Sequence, residues 1–506
     1  MTGDTALNRT RRERDLAEAT DGRTVDLLVV GLGVTGAGVA LDAAARGLTV
    51  VVIDAHDVAF GTSRWSSKLA HGGLRYLAHG QVGIAHESAV ERDILLRRTA
   101  PHLVRPAQWL VPLTPDISHA SAALIGAGFV GGDLLRRVAR TPSALLPRPR
   151  RVDVAEAQGL APSVRHDIRG GITAWDAQLE DDARLVIALA RTAAGEGARV
   201  LTRVRALEVT GDGARVRDEV TGTAYDLKAR AVVNAAGVWA ADLVPGITLR
   251  PSRGTHLVLR TETFGDSGVI VNAPVPGTIG RFVFSLPQPD GRTCLGLTDE
   301  AADGPIPDVP LATDGEIGFL LDTFGRVLER PLTRADVVGT YAGLRPLLDA
   351  GGSTADVSRR HAVLTSPDGV VTIIGGKLTT YRRMAQDAVD AAVRERRLSA
   401  GPCRTHNLPL VGAATPEALG RVDAPARLVR KYGVEAPTLT ARPDLLEPIG
   451  EHVPVTTAEL AFAVTHEGAL DVDDLLDRRT RIGLVPADRN AALPAATEIL
   501  SATDAR

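Results

Sequence analysis

D-L-L-V-V-G-L-G-V-T-G-A-G, residues 26–38, is the stretch that decides the fold. Val25–Val30 is an apolar run suited to a buried parallel strand. Gly31, Gly33 and Gly36 follow in G-x-G-x-x-G spacing. The first glycine permits a tight turn. The second lets a pyrophosphate approach the backbone, and the third lets a helix pack close to the strand. Gly38, Ala40, Ala43, Ala44 and Ala45 keep that helix thin. Its N-terminus offers free N–H groups and partial positive charge to phosphates. Thr49–Ile53 reads as the second strand, closed by Asp54 at about 20 residues beyond the glycines, where an acid hydrogen-bonds a ribose. A lone G-x-G-x-x-G is weak; strand, turn, helix and terminal acid in order predict a dinucleotide site. The motif leaves FAD and NAD open. An adenine 2′-phosphate is disfavoured, because Asp54 would repel it.

Downstream lies S-S-K-L-A-H-G-G-L-R-Y, residues 66–76, which such a fold brings near the cofactor with Lys68, His71, Arg75 and Tyr76. The chain has 506 residues, enough for two or three domains. Its apolar and charged fractions, 44% and 24%, are those of a soluble enzyme, and its net charge of −3 does not point to nucleic acid. Cys294 and Cys403 stand far apart in no metal-ligand spacing, as in a reduced cytosolic protein. No apolar run approaches a membrane span. Residues 1–24 carry R-T-R-R-E-R-D and lack a signal peptide's apolar core, so they read as a mobile tail. The lysines are Lys68, Lys228, Lys377 and Lys431 in a chain otherwise rich in arginine. Two of them fall in S-S-K-L-A-H-G-G and G-G-K-L-T-T-Y-R, where a compact ammonium has a use.

Along the chain, Val82–Thr99 is helical in pattern, with Glu91 and Arg92 among apolar positions, and Gln108–Leu113 reads as a strand. Ser118–Val138 is an apolar Ala/Gly-rich helix, with Arg136, Arg137 and Arg140 at its end. Pro142–Arg151 is a connector. Asp181–Gly195 is a helix that Asp181 or Asp182 can cap. Arg199–Thr210 and Leu227–Val233 are strand-like, the latter leading to N-A-A-G-V-W-A. Between Leu249 and Leu297 strands alternate with Gly/Pro turns, which predicts an antiparallel sheet. A helix over Gly315–Arg330 follows, then the strand Val370–Ile374 and the helix Leu378–Arg397. The domain holding the cofactor is thus discontinuous: 25–80, 181–245 and 335–400, with substrate-domain segments 81–180 and 246–334 between its pieces. Residues 401–506 form a C-terminal helical domain.

These motifs together carry a resemblance. G-L-G-V-T-G-A-G, T-S-R-W-S-S-K-L-A-H-G-G-L-R-Y-L, D-A-Q-L-E-D-D-A-R-L, N-A-A-G-V-W, R-G-T-H, L-G-L-T-D, Y-A-G-L-R-P and I-G-G-K-L-T-T-Y-R match FAD-dependent glycerol-3-phosphate dehydrogenase of the aerobic, membrane-associated bacterial type. The resemblance runs from Asp26 to about Leu484. Leu32 stands where the family often has glycine, Asp54 where it more often has Glu, and the N-terminal tail is extra. The resemblance implies an α/β fold: a Rossmann-like FAD-binding domain of the glycine/D-amino-acid oxidase type, an antiparallel-sheet substrate domain and a C-terminal helical domain. It implies FAD as cofactor and sn-glycerol 3-phosphate as substrate, oxidised to dihydroxyacetone phosphate.

It also assigns residues. Arg75, Arg345, Arg359 and Lys377 are the candidates for phosphate and hydroxyl binding, arginine being suited to bidentate phosphate contacts. Tyr76 is a further substrate contact. His256 is the candidate proton acceptor, since histidine titrates near neutrality; Arg345 lowering the hydroxyl pKa is the alternative. Ser66, Ser67 and Lys68 are expected to line the flavin or pyrophosphate. Ala235, Ala236 and Gly237 are expected to let backbone lie close to the cofactor, with Val204 at the adenine. Gly375 and Gly376, with Leu378 and Thr379 in the helix start beyond Lys377, are expected to place a helix N-terminus at the flavin pyrimidine.

The family passes electrons to membrane quinone. The Ser118–Val138 segment is suited either to peripheral contact with the cytoplasmic face of a bilayer or to ordinary burial. Three other functions compete: a glycerol-3-phosphate oxidase reducing oxygen to peroxide, an amino-acid oxidase of the same fold, and a flavin-binding regulator. The C-terminal domain is assigned to capping or oligomerisation, such as a homodimer.

Overall fold

The structure, a computed structural model, describes residues 3–73, 81–278, 280–349 and 360–504. It is built on two sheets, and the dinucleotide motif sits at the centre of the first. Thr24–Val30 pairs in parallel with Val50–Ile53 on one side and Ala224–Asn234 on the other. Val371–Ile374 and Arg199–Leu201 extend the parallel sheet outward. Ala362–Thr365 closes one edge antiparallel. Leu27–Val30, Val50–Ile53 and Ala231–Val233 are apolar and buried where helices cover the sheet, as parallel pairing requires. Helices Val34–Ala45, Asp182–Gly195 and Tyr381–Arg396 share one core with these strands. Gly38 allows the first and last to touch: a Cβ there would fall 2.9 Å from the Tyr381 ring. Asp181 caps Asp182–Gly195 through its side chain, leaving Asp182 for another task.

The second sheet is largely antiparallel and has ten strands among the described residues. Near one edge lies Ser252–Arg260, flanked by Arg292–Gly296 and Val337–Arg345. The sheet continues through Phe282–Pro287, Ile270–Pro274, Val104–Pro112 and Gly171–Leu179 to Leu69–Ala70. Ile270–Pro274 and Val104–Pro112 are the parallel pair within it. A capping box of Thr313 and Glu316 starts the helix Asp314–Gly325, which covers one face.

Three placements differ from the sequence reading. The expected mobile tail contains a helix, Arg9–Ala19, capped by the Asn8 side chain. Its Arg12 is buried, donating to the Asp218 carboxylate and, at 2.8 Å, to Thr202 O. Arginines that look solvated in sequence are here fastened to the first sheet. Second, Val337–Arg345 belongs to the second sheet, not to the cofactor domain, because it pairs with Ser252–Arg260 along its length. Third, Leu69–Ala70 pairs with Gln178 and Ala177, so the chain crosses to the second sheet before residue 80. Residues beyond 401 are mainly helical, with a hairpin of Pro448–Gly450 and Val453–Thr456.

Candidate active site

A cavity of about 1360 Å³ runs from the glycine turn to the face of the second sheet. That exceeds the ~300–1,000 Å³ of ordinary small-ligand pockets and suits a dinucleotide with a small substrate beside it. At one end lie Gly31, Gly33 and Asp54, with Val204 and the Ala235–Gly237 turn. The backbone cradle there fits a dinucleotide. A Cβ on Gly31 would fall 2.6 Å from Ala235 O, and one on Gly36 would fall 1.8 Å from Gly31 O. Gly36 therefore lies behind the cavity wall, where it lets helix and turn close on each other. One N–H of the helix N-terminus, that of Val34, is taken by Ser63 Oγ at 2.9 Å.

Asp54 does more than face a ribose. Its carboxylate accepts from Leu32 N at 2.7 Å and His56 N at 2.8 Å, so it also pins the glycine turn. Burial pushes its pKa up to about 6, against the pull of those two bonds. Val204 is tied in as well, its N–H donating to Asp54 O at 2.7 Å.

Away from the glycine turn, the two sheets bring His256, Arg345, Gly375, Gly376, Lys377, Leu378 and Thr379 into the lining of the same cavity, with Ser66 and Ser67. Gly375 and Gly376 turn the chain with φ of 80° and 72°, and a Cβ on Gly376 would meet Met384 Sδ at 2.4 Å. The helix beyond begins as a single 3₁₀ turn, Leu378–Thr380, before Tyr381–Arg396. Lys377 Nζ donates to Ser88 Oγ at 2.7 Å. Arg345 ends its strand, donating to Ser252 Oγ and Asp299 Oδ1, each at 3.2 Å, and to Thr298 O at 3.3 Å. Gly254 makes room for it: a Cβ there would fall 2.2 Å from Arg345 Nη2.

His256 is 1% exposed. Its Nε2 lies 2.9 Å from Ser67 Oγ, and its buried Nδ1 has no hydrogen-bond partner. Burial first, then the Lys68 and Arg345 cations, holds the imidazole well below the usual histidine range. It is neutral at pH 7, as a proton acceptor must be.

Lys68 is not brought to the cavity wall. Its side chain is 3% exposed, with Nζ 3.5 Å from Asp182 Oδ2 and 4.7 Å from the Tyr341 ring centroid. Asp182 also accepts from Ser66 N at 2.9 Å and Ser66 Oγ at 2.8 Å. Lys68 is therefore an anchor for the 66–70 segment, with the φ of 53° that its turn demands. Arg75, Tyr76 and Arg359 lie outside the described residues.

The sequence reading missed several residues of this lining. Arg92 and Asp176 both line the cavity. Arg92 Nη1 lies 2.7 Å from Asp176 Oδ1, and Asp176 Oδ2 accepts from Gly72 N at 3.0 Å, which fixes the turn leading to residue 75. The signal was present: a cation on an apolar helix, and the first acid of D-A-Q-L. Nothing local marked Tyr341 as the ring beside His256.

Part of the cavity lining is apolar. Ile125 and Phe129, on the inner side of His119–Val138, form it with Trp109, Val111 and Phe282. On the outer side of the same helix, Val130, Leu134 and Val138 are exposed, Val130 by 63%.

Comparison with known proteins agrees with this geometry. A model of FAD dependent oxidoreductases matches residues 26–382. A model described as the C-terminal domain of alpha-glycerophosphate oxidase matches residues 403–503. Glycerol-3-phosphate dehydrogenase 1 of Mycobacterium tuberculosis is 54% identical over 510 residues, covering 98% of each chain. A mitochondrial glycerol-3-phosphate dehydrogenase of Arabidopsis thaliana is 33% identical, covering 98% of this chain and 85% of its own. Among solved structures, the glycerol-3-phosphate dehydrogenase of Bacillus halodurans complexed with FAD superposes with a TM-score of 0.73 at 26% identity, covering 98% of this chain and 94% of that one.

Proposed function

The chain belongs to the FAD-dependent glycerol-3-phosphate dehydrogenases, and on that premise we propose how its residues carry out the oxidation and where the electrons go. The reaction is FAD-dependent oxidation of sn-glycerol 3-phosphate, with dihydroxyacetone phosphate as product. FAD, when bound, would supply the acceptor for the C2 hydride. The protein has three remaining tasks: to hold a phosphate dianion, to aim C2, and to take the hydroxyl proton.

The observation that carries the assignment is one cavity lined by a neutral histidine and two cations, His256, Arg345 and Lys377. His256 takes the C2 hydroxyl proton. Its Nε2 is engaged by Ser67 Oγ, which also lines the cavity and links the ring to it. A buried N–H without an acceptor would be costly, which favours the proton resting on Nε2. Arg345 is preset by Asp299, Ser252 and Thr298, so it orients the substrate without first ordering itself. Lys377 supplies a compact charge for the phosphate or the C2 oxygen. Arg75, Tyr76 and Arg359 remain candidates for the same task on sequence grounds. Gly31, Gly33 and the Ala235–Gly237 turn would hold the pyrophosphate, Asp54 and Val204 the adenosine, and Gly375–Thr379 the flavin.

The electron acceptor is a quinone. The apolar side chains Trp109, Ile125, Phe129 and Phe282 in the cavity lining suit a flat apolar ring. The exposed face of His119–Val138, with Arg137 in its last turn and Arg140 just beyond, suits peripheral contact with an anionic bilayer. No helix among the described residues is long and apolar enough to cross a membrane.

Anaerobic addition of sn-glycerol 3-phosphate to the yellow holoenzyme tests the core of this reading. Bleaching at 450 nm is expected, and Arg345→Ala should keep its FAD yet bleach slowly or not at all. Unchanged kinetics in that variant would remove Arg345 from the site. Reoxidation by a water-soluble quinone should outpace reoxidation by oxygen; fast oxygen turnover with peroxide release would make the enzyme an oxidase instead.

A further inference from the structure

We infer that the C-terminal domain is a clamp on the adenosine half of the cofactor site, acting through a buried ionic row onto the loop after Asp54. This rests on the dinucleotide reading of the cavity and not on the identity of the substrate. The loop's inner side lines the cavity at Asp54, His56 and Phe60. Its outer side carries Asp57, which is 0% exposed. The Asp57 carboxylate accepts from Arg478 Nε at 2.6 Å and from Arg479 Nη1 and Nη2 at 2.5 and 2.8 Å. Arg479 is itself held by Glu467 O, at 3.0 Å through Nε and 2.9 Å through Nη2. Arg478 donates a further bond to Asp474.

The chain segment hydrogen-bonded beside this loop is tied to the same C-terminal segment. Arg203 N donates to His56 O at 2.7 Å, and the Arg203 guanidinium reaches Asp471 and Asp474, the latter at 2.7 Å. The next residue, Val204, lines the cavity. Arg481 reaches the far end of the loop by donating to Arg64 O. Residues 467–481 therefore grip the loop and the segment beside it at once.

The physical consequence follows from burial. A carboxylate as enclosed as Asp57 keeps its charge only while its guanidinium partners stay in place. If the segment withdraws, the loop must rearrange to hydrate Asp57, and its inner side no longer matches the cofactor. FAD on one side of the loop and residues 467–481 on the other favour the same loop conformation, so each stabilises the binding of the other. A second ion pair joins the same domains without touching the cavity: Arg191 Nη1 lies 2.7 Å from Glu435 Oε2, and neither residue lines it. It provides the control.

The experiment is FAD release from the holoenzyme, read as the rise of free-flavin fluorescence after dilution, with no substrate present. Arg479→Lys, which loses the bidentate fork, and Asp57→Asn should release FAD about ten-fold faster or more. Glu435→Gln should stay within about two-fold of wild type. Unchanged release in the first two variants overturns the clamp; so does equal acceleration in all three, which would mean general loosening of the domain. Wild type gives a second reading if a variant does not fold. Amide exchange over 467–481 should be slower in the holoenzyme than in FAD-stripped protein, while Ala436–Thr440 is unaffected. Equal exchange over 467–481 in the two forms overturns the proposal. Since neither measurement uses glycerol 3-phosphate, failure here is distinct from failure of the substrate reading.

Discussion

His256 stacks on Tyr341, with ring centroids 4.7 Å apart and planes 9° from parallel. The two residues face each other across adjacent strands, and Tyr341 OH donates to Ser66 O at 3.1 Å. The imidazole is thus held by a ring on one face and by Ser67 at Nε2. A histidine entering a strand has become a rigid base, because three separate segments converge on it.

That confinement has a pH signature. Burial and the nearby cations place the His256 pKa well below 6.5 in the folded protein. Protonation removes the acceptor, so the anaerobic rate of flavin reduction should fall on the acid side with a midpoint below 6.5. His256→Gln should flatten that limb and slow reduction by about 10²–10⁴-fold. The unfolded chain binds a proton here at higher pH than the folded one does. This histidine's contribution to stability is therefore complete above its unfolded value and is lost as pH falls below it. Stopped-flow reduction between pH 5 and 8 checks the kinetic claim; a midpoint at or above the ordinary histidine value would contradict it.

Gly296 makes a sharper test of position. A Cβ there would fall 2.2 Å from His256 Cδ2 and 2.6 Å from Nε2. Gly296→Ala must push the imidazole off its seat against Ser67. Gly296 does not line the cavity, so FAD content should be unchanged while flavin reduction slows by about 10²-fold, the scale of an ångström's misplacement. Crystallography of the variant should show the ring displaced; an unmoved ring with slow reduction would assign Gly296 another role.

At the opposite end, Gly36→Ala should abolish cofactor retention. The added Cβ would lie 1.8 Å from Gly31 O, a contact that neither backbone can relieve without opening the turn. The purified variant should be colourless, with free FAD failing to raise its melting temperature. A yellow protein with normal flavin occupancy would show that the turn can move without losing its grip.

How much of this was legible in the sequence depends on separation along the chain. Gly31, Gly33, Gly36 and Asp54 act on one another within a single strand–helix–strand unit, so spacing alone revealed them. Lys68 stood in a glycine-bearing motif and was expected at the cofactor, yet its partner is Asp182, 114 residues away, and spacing cannot show which way an ammonium turns. The N-terminal arginines were misread for the same reason: Arg12 finds Asp218 across 206 residues. Val337–Arg345 carries the expected Arg345, but its sheet is set by pairing with Ser252–Arg260, which nothing in its own residues announces. Asp57 and Arg479, 422 residues apart, were beyond sequence reading altogether.

The helix His119–Val138 gives the last prediction, because it serves two environments. Its inner side meets the cavity through Ile125 and Phe129, while Val130 and Leu134 stand 63% and 61% exposed on the outer side. Apolar groups in water each forgo about 1.5–3 kcal/mol of transfer free energy, which a bilayer surface would recover, with Arg137 and Arg140 adding attraction to anionic lipid. The double variant Val130→Asp, Leu134→Glu should lose co-sedimentation with phosphatidylglycerol vesicles. Its flavin should still bleach with glycerol 3-phosphate at the wild-type rate, since neither side chain lines the cavity. Reduction of a water-soluble quinone should persist, whereas reduction of a long-tailed quinone held in vesicles should fall with the loss of binding. High salt applied to wild type should weaken sedimentation only in part, because the apolar component is not screened. Full sedimentation of the double variant would mean that this face does not meet the membrane.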